Sequence, residues 1–210
     1  MTFLLRSVGF RRGTCWVPPF ELRPGWLVRV YLPNFSQRSN EPLGRDLAQQ
    51  IALVLIFLAK PDRLLPYARP YQNRRRDYWP WPPTVARYLR KQHQASPEQV
   101  RRIAQELELN ERQPMRELGL PQRLALDMKG LWLRYEAVQF DFYGLQADSV
   151  AWLEQVLAAE LARGKAAIGF DNLQLLPPQE PLLYTERVVV TEPGGGHWAF
   201  ERDASSPPPS

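Results

Sequence analysis

The apolar positions change period along the first part of the chain. Phe3 to Phe10 reads as a strand, and Cys15 to Leu22 as a second strand interrupted by Pro18-Pro19. Arg23-Pro24-Gly25 is a turn signal, followed by Trp26 to Leu32 (WLVRVYL), a strand rich in β-formers. After a polar loop from Pro33 to Asn40, Leu47, Ile51, Val54, Leu55 and Leu58 recur at helical spacing. They predict a helix from about Pro42 to Ala59, with Pro42 tolerated in its first turn.

Lys60 to Pro83 is aromatic, proline-broken and loop-like. Ser96-Pro97-Glu98-Gln99 carries a serine cap, a proline at the first helical position and a glutamine placed to close a capping box, so a helix should run to about Leu109. Gln122 to Leu133 predicts another. Only helical signals occur between Thr84 and Leu133. Strand character returns at Glu136 to Phe142. Asp148 then caps a helix to Arg163, with Val150, Leu153, Leu157 and Leu161 on one face. Ala166 to Phe170 and Leu183 to Thr191 read as the last strands.

Strands alternating with helices imply a largely parallel sheet covered on both faces. The expected architecture is an α/β core over residues 1–83 and 134–195, a helical subdomain over 84–133 inserted into it, and a flexible tail over 196–210.

Composition narrows the picture modestly. The 210 residues are 44% hydrophobic and 23% charged, ordinary for a globular protein. The single cysteine, Cys15, excludes an internal disulfide and suits a reducing compartment. The N-terminal segment lacks the charge order of a signal peptide. The most apolar run, Ile51 to Ala59, is far shorter than the roughly 20 residues needed to cross a bilayer. A net charge of +5 permits an anionic partner without requiring one. One basic cluster stands out, Arg74-Arg75-Arg76, flanked by Tyr71, Tyr78, Trp79 and Trp81.

The order of segments resembles the ABC-transporter ATPases. PGWLVRVYLPNFSQRSN is similar to that family's entry into its phosphate loop, with Pro33, Asn34, Ser36 and Ser39 matching and Arg38 in the lysine position. QRLALDMKGLW, from Gln122, resembles the helix after the LSGGQ signature. AVQFDFYGLQADSVAWL resembles the strand and loop that carry the DEP and GLDP motifs, with Asp141 as the Mg²⁺-side aspartate. ARGKAAIGFDN resembles the strand leading to the switch histidine, and ERVVVTEPGG the closing strand and turn. The resemblance covers residues 1 to 195. It implies a P-loop NTPase-like fold: a mixed sheet with an antiparallel β edge and an inserted helical subdomain.

Against the family pattern, several chemistry-bearing positions differ. A phosphate loop works because glycines let backbone N–H groups converge on phosphate, while a lysine and a hydroxyl hold the γ-phosphate and Mg²⁺. Here the glycine positions are Leu32, Phe35 and Gln37, and Glu41 adds a negative charge nearby. The glutamate that orients the attacking water is Phe142, which can neither accept a proton nor orient water. The switch histidine is replaced by Asp171 or Asn172, depending on a one-residue choice of alignment. The adenine-stacking aromatic becomes Arg12. The signature falls at Glu117-Leu118-Gly119-Leu120, where its serine and one glycine are gone.

The expectation is therefore a subunit without ATP hydrolysis, catalytic residues, cofactor or metal. Arg38, Ser39 and Asp141 remain as a remnant of the nucleotide site, or Asp141 is simply a polar strand terminus and Arg38 and Ser39 a solvated helix cap. The resemblance implies a cytoplasmic chain, peripheral on the inner face of the cell membrane. Its partners would be an integral membrane subunit and either a second copy or a related ABC ATPase. Gln72 occupies the place of the family's Q-loop glutamine. It would contact the membrane subunit with Arg74, Arg75, Arg76, Trp79 and Trp81, or the segment is a proline-stiffened loop with solvated arginines. One short basic cluster argues against nucleic acid as the partner. Three alternatives stay open, in this order: a soluble regulatory or scaffolding protein without a membrane partner, a divergent active ATPase, and a nucleic-acid binder using Arg74 to Arg76.

Overall fold

A computed structural model of the chain describes residues 3–36, 42–59, 64–73, 82–172 and 186–193. Short strands come first: β1 (Leu5–Ser7), β2 (Phe10–Arg12), β3 (Cys15–Val17) and β4 (Phe20–Leu22), then the longer β5 (Leu27–Leu32). Helix α1 (Gly44–Leu58) follows, then α2 (Val85–His93), α3 (Pro97–Glu106), a 3₁₀ turn (Met115–Glu117) and α4 (Leu120–Trp132). The chain closes with β6 (Ala137–Asp141), α5 (Ala147–Ala162), β7 (Ala166–Asn172) and β8 (Glu186–Val189).

Four strands form one parallel sheet in the order β6-β7-β5-β8. The first four pair as two antiparallel ribbons, β1 with β4 and β2 with β3. The two expected N-terminal strands are thus four. Gly9 lies at φ +86° between β1 and β2, and Pro18-Pro19 separates β3 from β4, so each long run bends and changes partner. The turn at Arg23-Pro24-Gly25 forms as read, with Gly25 at φ +78° and Trp26 N donating to the Arg23 carbonyl at 3.1 Å.

β5 is buried at every position and its two faces serve two cores. Val28, Val30 and Leu32 join Ile168 and Phe170 beneath α1 and the antiparallel ribbons. Leu27 joins Val138, Phe140, Phe142 and Ala167 beneath α4 and α5, and this core runs on into α2 and α3.

Several helix boundaries differ from the expectation. α1 begins at Gly44, because Phe35 and Pro42 form an antiparallel bridge and Leu43 N donates to the Asn34 carbonyl, which keeps Pro42 outside the helix. α2 is a separate helix, capped by Thr84, whose hydroxyl accepts from Arg87 N. The capping box at Ser96 forms with Gln99, but α3 stops at Glu106 because Glu108 turns into the left-handed region at φ +55°. Gln146 takes the N-cap position of α5, so Asp148 sits inside the first turn, where its charge favours the helix dipole without capping it. β7 extends two residues beyond Phe170 to Asn172, paired with β5 from Ala167 to Asn172.

Candidate functional site

The carboxyl ends of parallel strands are where open α/β sheets bind ligands, since loops diverge there and leave a crevice. In this chain the ends of β5, β6 and β7 carry Ser36, Asp141 and Asp171, and each is engaged by the chain itself.

Asp141 ends β6 and is buried. Its Oδ1 accepts from Arg45 Nη2 at 3.1 Å and from the backbone N–H of Tyr143 at 3.1 Å. Its Oδ2 accepts from the Tyr67 hydroxyl at 2.6 Å. Arg45 comes from the first turn of α1. Tyr67 comes from a segment bridged in parallel to β6 at Gln139, with its ring stacked on Phe170 at 6.1 Å. Burial raises the Tyr67 pKa, and the neighbouring Asp141 charge raises it further, so the phenol stays a proton donor to the carboxylate.

Asp171 belongs to a second, deeper cluster. Arg29 is 3% exposed at the middle of β5. Its Nε and Nη2 reach Asp171 Oδ2 at 3.0 and 2.5 Å, and its Nη1 reaches Glu154 Oε1 of α5 at 2.6 Å. The guanidinium also lies 4.3 Å from the centre of the Phe142 ring. Phe142 in turn packs edge-on to Phe140, 4.8 Å between ring centres. Gly169 makes room for this. It sits in register between Arg29 and Phe140, and a Cβ there would stand 2.6 Å from Phe142 Cε2.

Ser36, in the loop after β5, donates through its hydroxyl to Glu192 Oε1 at 2.9 Å, and Thr14 donates to the same oxygen at 2.5 Å. The loop is thereby tied to the antiparallel ribbon and to the segment after β8. Tyr143 places its hydroxyl in a buried position with no hydrogen-bond partner among the described residues. Its pKa is raised by burial first and then by Asp171 and Asp141.

At the signature-like segment, Glu117 ends the 3₁₀ turn and Gly119 precedes α4. The Gln122 side chain accepts from Gly119 N at 3.0 Å. Arg123 donates to the carbonyls of Leu118, Tyr71 and Arg116, knitting this entry together.

Solved structures give the fold its reference. A nucleotide-free ATP-binding cassette from an ABC transporter matches with a TM-score of 0.55 at 13% identity, covering 90% of this chain and 90% of that one. The ADP conformation of an ATP-binding cassette of an ABC transporter matches at 0.53 and 13% identity, covering 82% of each chain. A Pyrococcus furiosus protein described as an ABC transporter ATP-binding protein matches at 0.52 and 12% identity, covering 87% of this chain and 94% of its own. The chain has the fold of an ABC ATPase. At these identities the likeness establishes the fold. In sequence, no family model and no curated protein matches.

Within this cassette fold the expected site residues separate. Asp141 stands at its strand end as read. Gln72 is exposed, next to Tyr71, whose carbonyl Arg123 holds. Arg38, Ser39, Arg74, Arg75, Arg76, Trp79, Trp81 and His197 lie outside the described residues. Arg12 is exposed on β2 and donates from Nε to Gln50 Oε1 of α1 at 2.9 Å. His93 is buried far along the chain from β7, with Nε2 2.9 Å from Asp127 Oδ1. Sequence reasoning passed over Arg29, Glu154, Arg45 and Tyr67. A lone arginine inside WLVRVYL was a usable signal for Arg29, since a charge in an otherwise apolar strand must find partners. Nothing in the sequence pointed to Arg45 or Tyr67, whose meeting with Asp141 depends on chain packing.

Proposed function

We propose that this chain is a non-catalytic ABC-ATPase-like subunit, a pseudo-ATPase that acts as a structural partner in an ABC-transporter-like membrane complex. The observation that carries the reading is the occupation of Asp141: a guanidinium, a phenol and a backbone N–H fill the sides of the carboxylate that a metal ion would need. Mg²⁺ demands octahedral oxygen coordination at about 2.0–2.1 Å and would have to displace Arg45. Phe142, where the family has its glutamate, supports the same reading. It is embedded between Phe140, Gly169 and Arg29 and offers no atom to a water.

In this reading the subunit needs no cofactor and pairs with a second copy or a related ABC ATPase. It sits on the cytoplasmic face of a membrane beside an integral membrane subunit. Gln72 is exposed beside the entry of α4, and with Arg74, Arg75, Arg76, Trp79 and Trp81 it would form the contact with that subunit. No helix among the described residues is long and apolar enough to cross a membrane, so attachment would come through the partner.

The test is ATP turnover by the purified chain, alone and with any membrane protein that co-purifies with it. Turnover at background level, unchanged by Asp141→Ala, is expected. Mg²⁺-dependent hydrolysis that Asp141→Ala abolishes would overturn the reading. Recovery of the native chain only as a free monomer would remove the membrane-complex part of it.

A further inference from the structure

A concavity of about 700 Å³ lies between α2, α3 and the loop after α3, away from the strand ends. Its volume is in the range of small-molecule sites. Three arginines line it from three separate elements: Arg90 in the last turn of α2, Arg101 in α3 and Arg112 in the loop. All three are exposed, and none has an ion-pair or side-chain hydrogen-bond partner among the described residues. One carboxylate, Glu111, shares the lining, so positive charge predominates there.

The wall that carries Arg112 is pre-formed. Val85 N donates to the Gln113 carbonyl at 3.0 Å and Ala86 N to the Glu111 carbonyl at 2.9 Å, tying the loop to the start of α2. Leu109 N donates to the Ala104 carbonyl at 2.8 Å, and Asn110 Oδ1 accepts from Arg112 N at 2.9 Å. The Asn110 amide N–H₂ is left as a donor. The first N–H groups of α2 are consumed by these loop carbonyls, so the arginines and not a helix end supply the charge. Guanidinium forks match phosphate oxygens two at a time, and like charges gathered on one concavity repel until an anion joins them.

We propose that this basin binds a compact multivalent phosphate group, held by Arg90, Arg101 and Arg112. The chemistry is shared by a free oligophosphate and by a phosphorylated lipid headgroup. The site is separate from the strand ends, so its fate does not bear on the function proposed above.

The full chain would be titrated calorimetrically with sodium tripolyphosphate at low salt without divalent cations. In parallel it would be sedimented with phosphatidylcholine vesicles, plain or doped with phosphatidylinositol bisphosphate. Saturable binding in either arm is expected, weakening as salt rises. It should weaken about tenfold or more in the Arg90→Gln/Arg101→Gln/Arg112→Gln variant and several-fold in Arg112→Gln alone. Arg134→Gln, outside the basin, should bind as the native chain does. Binding to tripolyphosphate identifies a soluble anion, and binding only to doped vesicles identifies a lipid headgroup. No saturable binding in both arms, or binding unchanged in Arg112→Gln and in a triple variant of native circular dichroism, would overturn the proposal.

Discussion

Arg45 reaches from the first turn of α1 and sets its Nη2 3.1 Å from Asp141 Oδ1. The same nitrogen lies 2.5 Å from the Tyr143 carbonyl oxygen. A cation at a helix N-terminus opposes the helix dipole, so this arginine is poorly placed for α1 alone. Its position is explained by the strand-end carboxylate it neutralises. The pair joins the end of β6 to the helix after β5, across the carboxyl ends of the parallel strands.

That relationship predicts unequal effects at its two ends. The Arg45 side chain is half exposed, and Arg45→Ala should cost only about 0–1 kcal/mol. Asp141→Ala removes the acceptor of the buried Tyr67 hydroxyl and of Tyr143 N, and should cost about 1–3 kcal/mol. Urea unfolding of both variants measures the difference. Equal losses would mean that Arg45 is the principal partner of the carboxylate.

The Arg29 cluster should tolerate no single removal. Arg29→Met strands Glu154 and Asp171 in the core, at a cost of about 3–5 kcal/mol. Adding Glu154→Gln and Asp171→Asn to Arg29→Met should recover a large part of that loss, since the uncompensated charges disappear. Denaturant midpoints of the single and triple variants report it. A triple variant no more stable than Arg29→Met would place the stability in the packing of the guanidinium over Phe142.

Gly169 is required by the ring that lies over it. Gly169→Ala brings a methyl group to 2.6 Å from Phe142 Cε2 and should destabilise the chain by about 1–3 kcal/mol. Phe142→Ala on that background opens the space. The double variant should then fall short of the sum of the two single losses, a coupling readable in a double-mutant cycle.

Acid sensitivity should arise in part at Glu106, which receives hydrogen bonds from Lys129 at 2.6 Å and Arg163 at 3.0 Å. Burial pushes its pKa up, but those two cations outweigh it and the net shift is downward from 4.5. A depressed folded-state pKa gives stability that is present above 4.5 and lost as pH falls through the lower folded value. Glu106→Gln should therefore lower the melting temperature at pH 7 and flatten its decline below about pH 4.5. Parallel melting curves of the two proteins below that pH would refute the assignment.

How much of this was legible before the chain folded follows from range. Period-two and period-3.6 patterns are local, and they located α1, α3, α4, α5 and the parallel strands to within a few residues, while α2 was not read as a separate helix. The capping box at Ser96 and the turn at Gly25 formed as read, because each is satisfied by atoms a few residues apart. The misreadings were also local: the split of the first two strands at Gly9 and Pro18-Pro19, and the late start of α1 at Gly44. There, glycine, proline and a short bridge between Phe35 and Pro42 overrode an otherwise continuous pattern.

The sequence by itself determined the alternation of parallel strands and helices from β5 onward apart from α2, the ABC ATPase-like architecture, and Asp141 and Phe142 as neighbours at one strand end. Tertiary structure decided what those residues meet. Arg45 comes to Asp141 from 96 positions away and Arg29 to Asp171 from 142. Such pairings are set by strand order and by the close contact Gly169 permits, which leave no trace in local periodicity. The same holds for Arg90, Arg101 and Arg112, ordinary surface residues in sequence that share one concavity because α2, α3 and their loop pack together. A charge pattern along a chain reports solvation, and only packing turns it into a site.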